Sequence, residues 1–206
     1  MIKAILFDAD GVVIKARTRF FSERFAEKQG VPVLEVIPFF KNEMRLAFLN
    51  RADIRESVKA YLPRWNWKGS ADDFLSYWFG EESPRNEEVL KFIDDLRSFG
   101  IKCYIATDRE KYWGDYLIEN VGLKNHFDGF MFSYDIGYEK HVPEYFLEVL
   151  QKLSLNPNEV MYFDDDQKNV DVAKSVGLNA HFYVNLESLK EETGGLFPKG
   201  SKVDLV

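Results

Sequence analysis

Five short apolar runs, set apart by stretches of helical period, constrain this chain more than any other feature. They are Lys3 to Phe7, Ile101 to Ala106, Gly129 to Ser133, Val160 to Phe163 and Ala180 to Val184. Rich in β-branched and aromatic residues and too short for buried helices, they read as strands. Between Asn86 and Phe99, residues Val89, Leu90, Ile93 and Leu96 fall at helical spacing, and Gly100 supplies a stop. Pro143 opens a second helix carrying Phe146, Leu147, Leu150 and Leu153; a third runs from about Gln167 to Val176, ahead of Gly177. Apolar strands alternating with helices predict an α/β fold, a Rossmann-like parallel sheet covered by helices on both faces.

Residues 15–83 depart from this alternation. No part of the stretch reads as a strand, and aromatics crowd it, among them Phe20, Phe21, Phe25, Phe39, Phe40, Trp65, Trp67 and Trp78. It is expected to be an inserted α-helical cap, with residues 1–14 and 84–206 forming the core. Gly80 to Pro84 reads as the return linker, and the tail from Thr193, with Gly194, Gly195, Pro198 and Gly200, as loop or loosely docked peptide. Most cap aromatics read as the insertion's own small core, with Trp65, Trp67 and Trp78 as the candidates for stacking on a ligand. Arg17, Lys41, Arg45 and Arg51 read as solvated charge, with contact to substrate as the alternative.

At 206 residues, the chain can hold one packed core and a modest insertion. Its net charge of -7 argues against a nucleic-acid polymer or an anionic membrane as partner. Cys103 is the only cysteine, so no intrachain disulfide forms, which suits a reducing compartment. The apolar opening from Met1 meets Asp8 too soon for a signal peptide, and no apolar stretch approaches the ~20 residues of a membrane span. The expectation is a soluble, cytoplasmic protein.

Ligands of parallel α/β sheets bind at the carboxyl ends of the strands. There the chain carries Asp8-Ala9-Asp10-Gly11, then Thr107-Asp108-Arg109, then Lys140 after a longer loop, then Asp164-Asp165-Asp166. Carboxylates gathered at one sheet edge cannot all ionise at ordinary cost, and a divalent cation removes the conflict. Asp8, Asp10, Asp164 and Asp165 are the candidate metal ligands. They offer only hard oxygens, with no His or Cys, which points to Mg2+ rather than zinc. Beside the cation, Asp8 can attack phosphorus as a nucleophile, while Asp10, two residues on, serves as acid and base. Thr107, Asp108 and Lys140 form the expected substrate-binding group, Thr107 and Lys140 neutralising the phosphoryl oxygens. Asp108 would repel phosphate unless it is paired, for example with Arg109, or turned away. Asp166 reads as a helix cap, and Asn169 as a residue orienting Asp165 or lying on the helix surface.

Phe7-Asp8-Ala9-Asp10-Gly11-Val12-Val13 resembles the first motif of the haloacid dehalogenase superfamily. Ile105 to Asp108, Lys140 and Phe163 to Val170 resemble its second, third and fourth motifs, in family order across nearly the whole chain. The insertion resembles the small helical cap of its phosphatase branch. The resemblance implies a sheet ordered 3-2-1-4-5 and an aspartyl-phosphate on Asp8. It also implies magnesium held by Asp8, the Asp10 carbonyl and Asp165, with Asp164 in support. Asp10 argues against dehalogenation, since the dehalogenases of the superfamily lack an acid there. Two departures stand out: Asp108 where many relatives have Asn, and His141-Val142-Pro143 where many read Pro-Asp-Pro. The expected activity is hydrolysis of a small phosphorylated metabolite, its identity and the oligomeric state left open. The alternatives are a phosphotransferase or mutase on the same fold, and a non-catalytic phosphate- or partner-binding protein.

Overall fold

The computed structural model describes residues 1–197. Five parallel strands, β1 (Ala4–Phe7), β2 (Lys102–Thr107), β3 (Gly129–Phe132), β4 (Val160–Asp164) and β5 (Asn179–Phe182), form one sheet in the order β3-β2-β1-β4-β5. This is the order implied by the resemblance. β1 is central, with Phe7 in register with Ile105 on one side and Phe163 on the other.

The period of two along each strand explains why helices flank both faces. Ile5, Phe7, Cys103, Ile105, Met161 and Phe163 point into one core cluster. Ala4, Leu6, Ala106, Val160 and Tyr162 point into a second on the opposite face. The first cluster is closed by α6 (Glu87–Ser98), through Val89, Leu90, Ile93 and Leu96, and by α7 (Lys111–Glu119), through Trp113 and Leu117. The second is closed by α9 (Pro143–Leu153), through Tyr145, Phe146, Val149 and Leu150, and by α10 (Gln167–Ser175), through Val170 and Ala173. A short α8 (Ser133–Ile136) follows β3.

Residues 15–83 are helical throughout their regular parts: α1 (Phe21–Gln29), α2 (Val33–Pro38), α3 (Met44–Phe48), α4 (Ile54–Lys59) and α5 (Ala71–Glu82). A π-helical segment, Phe39–Glu43, joins α2 to α3 just after Pro38. The aromatic side chains pack on one another, with Phe25, Phe39, Trp65 and Phe74 fully buried. Trp65 is fixed further by donating to the Glu35 carbonyl at 3.0 Å. Trp67 stacks on Tyr77. Trp65 and Trp67 are therefore structural residues rather than ligand platforms.

Two sequence expectations need correction. Gly80, Glu81 and Glu82 belong to α5 and not to a linker. The helix starts from a Ser70–Asp73 capping box, and its last turn buries Phe79 and Glu82. The tail from Thr193 is helical at its start, since α11 (Leu186–Thr193) ends on a buried Thr193, while Phe197 packs against Phe92 and Phe99 in keeping with a docked peptide. The expectations for Pro198 and Gly200 lie outside the described residues.

The chain leaves and re-enters the sheet layer through two segments that pair with each other. Ile14 and Arg85 form an antiparallel bridge, Lys15 N–H donates to Pro84 at 2.8 Å, and Asn86 N–H donates to Val13 at 2.8 Å. Among the described residues, no helix is long and apolar enough to cross a membrane.

Candidate active site

Because all five strands run the same way, their carboxyl ends open on one crevice of about 290 Å³. Asp8 follows β1, Thr107 ends β2, Asp164 ends β4, and Lys140 arrives from the loop after α8. These residues line the crevice together with Asp10, Asp108, Asp166 and Asn169. Asp165 stands beside Asp8 and Asp164, and oxygens of the three carboxylates lie within 4.8 Å of one another.

Lys140 organises the floor. Its ammonium lies 2.7 Å from Asp8 Oδ1 and 2.7 Å from Asp164 Oδ2, with all three side chains buried. Burial alone would lower the Lys140 pKa, but the carboxylates of Asp8, Asp164 and Asp108 overcome it and hold the amine protonated. Burial raises Asp8 to about 7, opposed by Lys140 and reinforced by Asp164 and Asp10. Asp164 is saturated with donors: Lys140, the Tyr162 hydroxyl, Asn169 Nδ2 at 3.1 Å and the Asp166 N–H at 2.7 Å. Asn169 thus orients Asp164, not Asp165, while Asp166 caps α10 through the Lys168 N–H at 2.9 Å.

Asp108 is paired, although not with the Arg109 guanidinium. Its Oδ1 accepts the Lys140 backbone N–H at 3.0 Å and so pins the loop that carries Lys140. Arg109 turns the other way. Its guanidinium lies 2.5 Å from Asp10 Oδ1 and stacks 4.2 Å over Trp113, and its backbone N–H donates to Ser133 Oγ at 3.1 Å. Arg17, expected in solvent, instead reaches from the insertion to Asp10 Oδ2 at 2.7 Å and to Glu82 at 2.5 Å. Burial alone would raise Asp10, but Arg109 and then Arg17 outweigh it and keep the carboxylate ionised.

The donor set fits a hard divalent cation. Asp8, Asp164 and Asp165 set three carboxylates against the one ammonium of Lys140, while Asp10 is paired by Arg109 and Arg17, and every candidate ligand is an oxygen. Gly11 shapes the cradle: its φ is +73°, and a Cβ there would collide with the Asp165 carboxylate. Gly11→Ala is therefore expected to push Asp165 aside and weaken divalent-cation binding by about 10–100-fold. The cation-dependent rise in thermal midpoint measures this, and an unchanged titration would show that Asp165 has no part in the cradle.

Residues 2–177 match the sequence profile of the haloacid dehalogenase-like hydrolases. The chain belongs to this family. Among curated relatives of this haloacid dehalogenase-like hydrolase, a phosphorylated carbohydrates phosphatase of Thermotoga maritima is 27% identical over 187 residues, covering 86% of this chain and 82% of that protein. Among solved structures, a haloacid dehalogenase family enzyme of Bacteroides thetaiotaomicron, in complex with magnesium, aligns with a TM-score of 0.78 at 18% identity, covering 91% of this chain and 98% of the other. A dehalogenase structure aligns with a TM-score of 0.69 at 17% identity, covering 93% and 96%. Likeness at that identity establishes the fold, and the fold is shared by enzymes of differing chemistry.

Three residues near the catalytic end of this haloacid dehalogenase-like hydrolase escaped sequence reasoning. Tyr162 looked like strand filling, yet its hydroxyl donates to Asp164 two residues on, a spacing that places both on one face of β4. Trp113 sits on α7 and supports Arg109. Glu82 is 4% exposed and holds both Arg17 and Arg24 at 2.5 Å. Only Arg109 carried a signal, as a cation directly after the second strand's polar end. None of the three histidines lines the crevice: His126 pairs with Asp94, His181 with Glu192, and His141 follows Lys140 without joining the lining.

Proposed function

We propose that this protein hydrolyses a small phosphate monoester through an aspartyl-phosphate on Asp8. One observation carries the reading: Lys140 bridges Asp8 and Asp164 at 2.7 Å each, beside an Asp165 that completes a triangle of carboxylate oxygens. A buried nucleophile, a fixed cation and a cradle for a divalent ion are the parts phosphoryl transfer needs. The relative named as a phosphorylated carbohydrates phosphatase supports a phosphate ester of a small alcohol.

In this reading Asp8, the Asp10 carbonyl and Asp165 hold magnesium, with Asp164 anchored behind them. When bound, the ion supplies charge neutralisation at the phosphoryl oxygens. An Asp8 oxygen attacks phosphorus, the ester P–O bond breaks, and the departing alkoxide takes a proton from Asp10, which acquires that proton from solvent as the ester binds, because Arg109 and Arg17 keep it ionised in the free protein. Asp10 then takes a proton from water as that water attacks the phosphorus. The P–O bond to Asp8 breaks, leaving free carboxylate and inorganic phosphate. Lys140 and Thr107 stabilise the transferring group, and Asp108 keeps the Lys140 loop in place. Residues 15–83 act as the cap, and residues 1–14 with 84–206 as the core; closure of one on the other excludes bulk water.

The test is release of inorganic phosphate across a panel of sugar phosphates, phosphoglycolate, nucleotides and simple alkyl phosphates. Turnover of at least one ester is expected with magnesium and not in chelator, with a thermal midpoint that rises as magnesium is added. A panel without any turnover would favour a binding protein, and phosphate appearing on a second alcohol would favour the transferase.

A further inference from the structure

A cavity of about 460 Å³ is walled by the insertion and, from the core, by Trp113, directly beside the catalytic crevice. The two share Arg17, Met44 and Trp113 as a common wall. Beyond that wall the lining includes four aromatic residues, Phe20 and Phe21 from the start of α1, Phe40 from the π-helical segment and Trp78 from α5, together with Ile37. Phe40 meets Trp78 edge-on at 4.9 Å, and Trp78 meets Trp113 at 5.0 Å, so the rings form a continuous surface leading to the Arg109 guanidinium.

Most polar groups of this cavity are engaged or stand at its rim, the half-buried Ser22 hydroxyl being the exception. Arg17 and Glu82 satisfy each other at 2.5 Å, and Glu82 also binds Arg24 at 2.5 Å. Glu23 and Lys41 are exposed at the margin. A polyhydroxylated ligand would lose hydrogen bonds to water on entering such a space and recover few. An apolar group would lose none and would cover the rings.

We propose that this chamber receives the alcohol portion of the substrate and selects phosphate esters whose alcohol carries an aromatic or extended apolar group. The assignment rests on reading the Asp8 crevice as the phosphoryl site. Arg17, placed between chamber and crevice, marks the passage through which the ester oxygen reaches Asp10. Phe20 is 66% exposed at the edge of the chamber and is held by no neighbouring ring. It is the lining residue whose truncation least disturbs the fold.

The experiment compares 2-phenylethyl phosphate with glucose 6-phosphate. Both are primary alkyl esters, so their leaving oxygens depart with similar ease. In wild type with magnesium, kcat/KM is expected to favour the phenylethyl ester at least tenfold. Calorimetry on Asp8→Asn with magnesium is expected to show the same preference in Kd. Phe20→Ala should lower the selectivity ratio about fivefold, acting on the phenylethyl ester alone. Equal or sugar-favouring values, or a Phe20→Ala effect common to both esters, overturn the proposal. A Kd preference without any hydrolysis supports the chamber while sinking the catalytic reading, so the two failures are distinguishable.

Discussion

Asp8→Asn is expected to lower phosphate release by roughly 10⁴-fold or more while leaving the protein folded. The loss corresponds to about 5 kcal/mol of transition-state stabilisation, the effect of deleting the atom that bonds to phosphorus. Stability should move in the opposite sense. Asp8 is raised to about 7 in the folded chain from an ordinary value of 3.8. Its folded form therefore retains a proton that the unfolded chain releases between those values, and stability falls as pH rises through that window. Asparagine carries no such proton, so the cation-free variant should match or exceed wild type by a few kcal/mol at pH 8 and lose that advantage near pH 4. Urea unfolding at the two pH values, alongside phosphate release, measures both. A folded Asp8→Asn protein that retains turnover would remove Asp8 from the nucleophilic role.

Lys140→Met should damage activity and stability together. The ammonium holds Asp8 and Asp164 at 2.7 Å each, and its removal leaves two buried carboxylates facing each other. Removing one partner from a buried ion pair costs about 3–5 kcal/mol. Loss of a fixed charge at the developing oxyanion costs a further factor of about 10²–10³ in turnover. Added magnesium should recover part of the stability, because the ion neutralises the same carboxylates, but little of the turnover. Lys140→Arg keeps the charge, yet its planar fork does not match two oxygens bridged by one ammonium, so it should fold better than Lys140→Met while remaining slow. Denaturant midpoints with and without magnesium, set beside single-turnover rates, separate the two effects. A Lys140→Met protein within tenfold of wild-type turnover would show that Lys140 is only a structural counter-ion.

The core was legible because its physics is local. Each strand announces itself by an apolar run, each flanking helix by its period, and the acids fall at strand ends that topology then gathers. Asp8, Thr107, Lys140 and Asp164 were found by that logic and do line one crevice. What escaped depends on distant residues meeting. Glu82 could not be recognised as buried, since only the tertiary fold brings Arg17 and Arg24 to it. Asp108 resembled a hazard to phosphate until its partner, a backbone N–H thirty-two positions away, was in view. The aromatic insertion showed no period that separates self-packing from ligand contact, because a ring can do both. Trp78 is 1% exposed and still forms part of a chamber wall.

The paired segments at Val13–Lys15 and Pro84–Asn86 give the protein a seam. Some seventy residues enter and leave across a gap of one hydrogen-bonded pair, so the strands on either side feel them as little more than a tight turn. Whatever replaces that stretch need only begin and finish side by side. A stretch of another length or sequence could therefore be joined at this seam without shifting the strands that carry the acids.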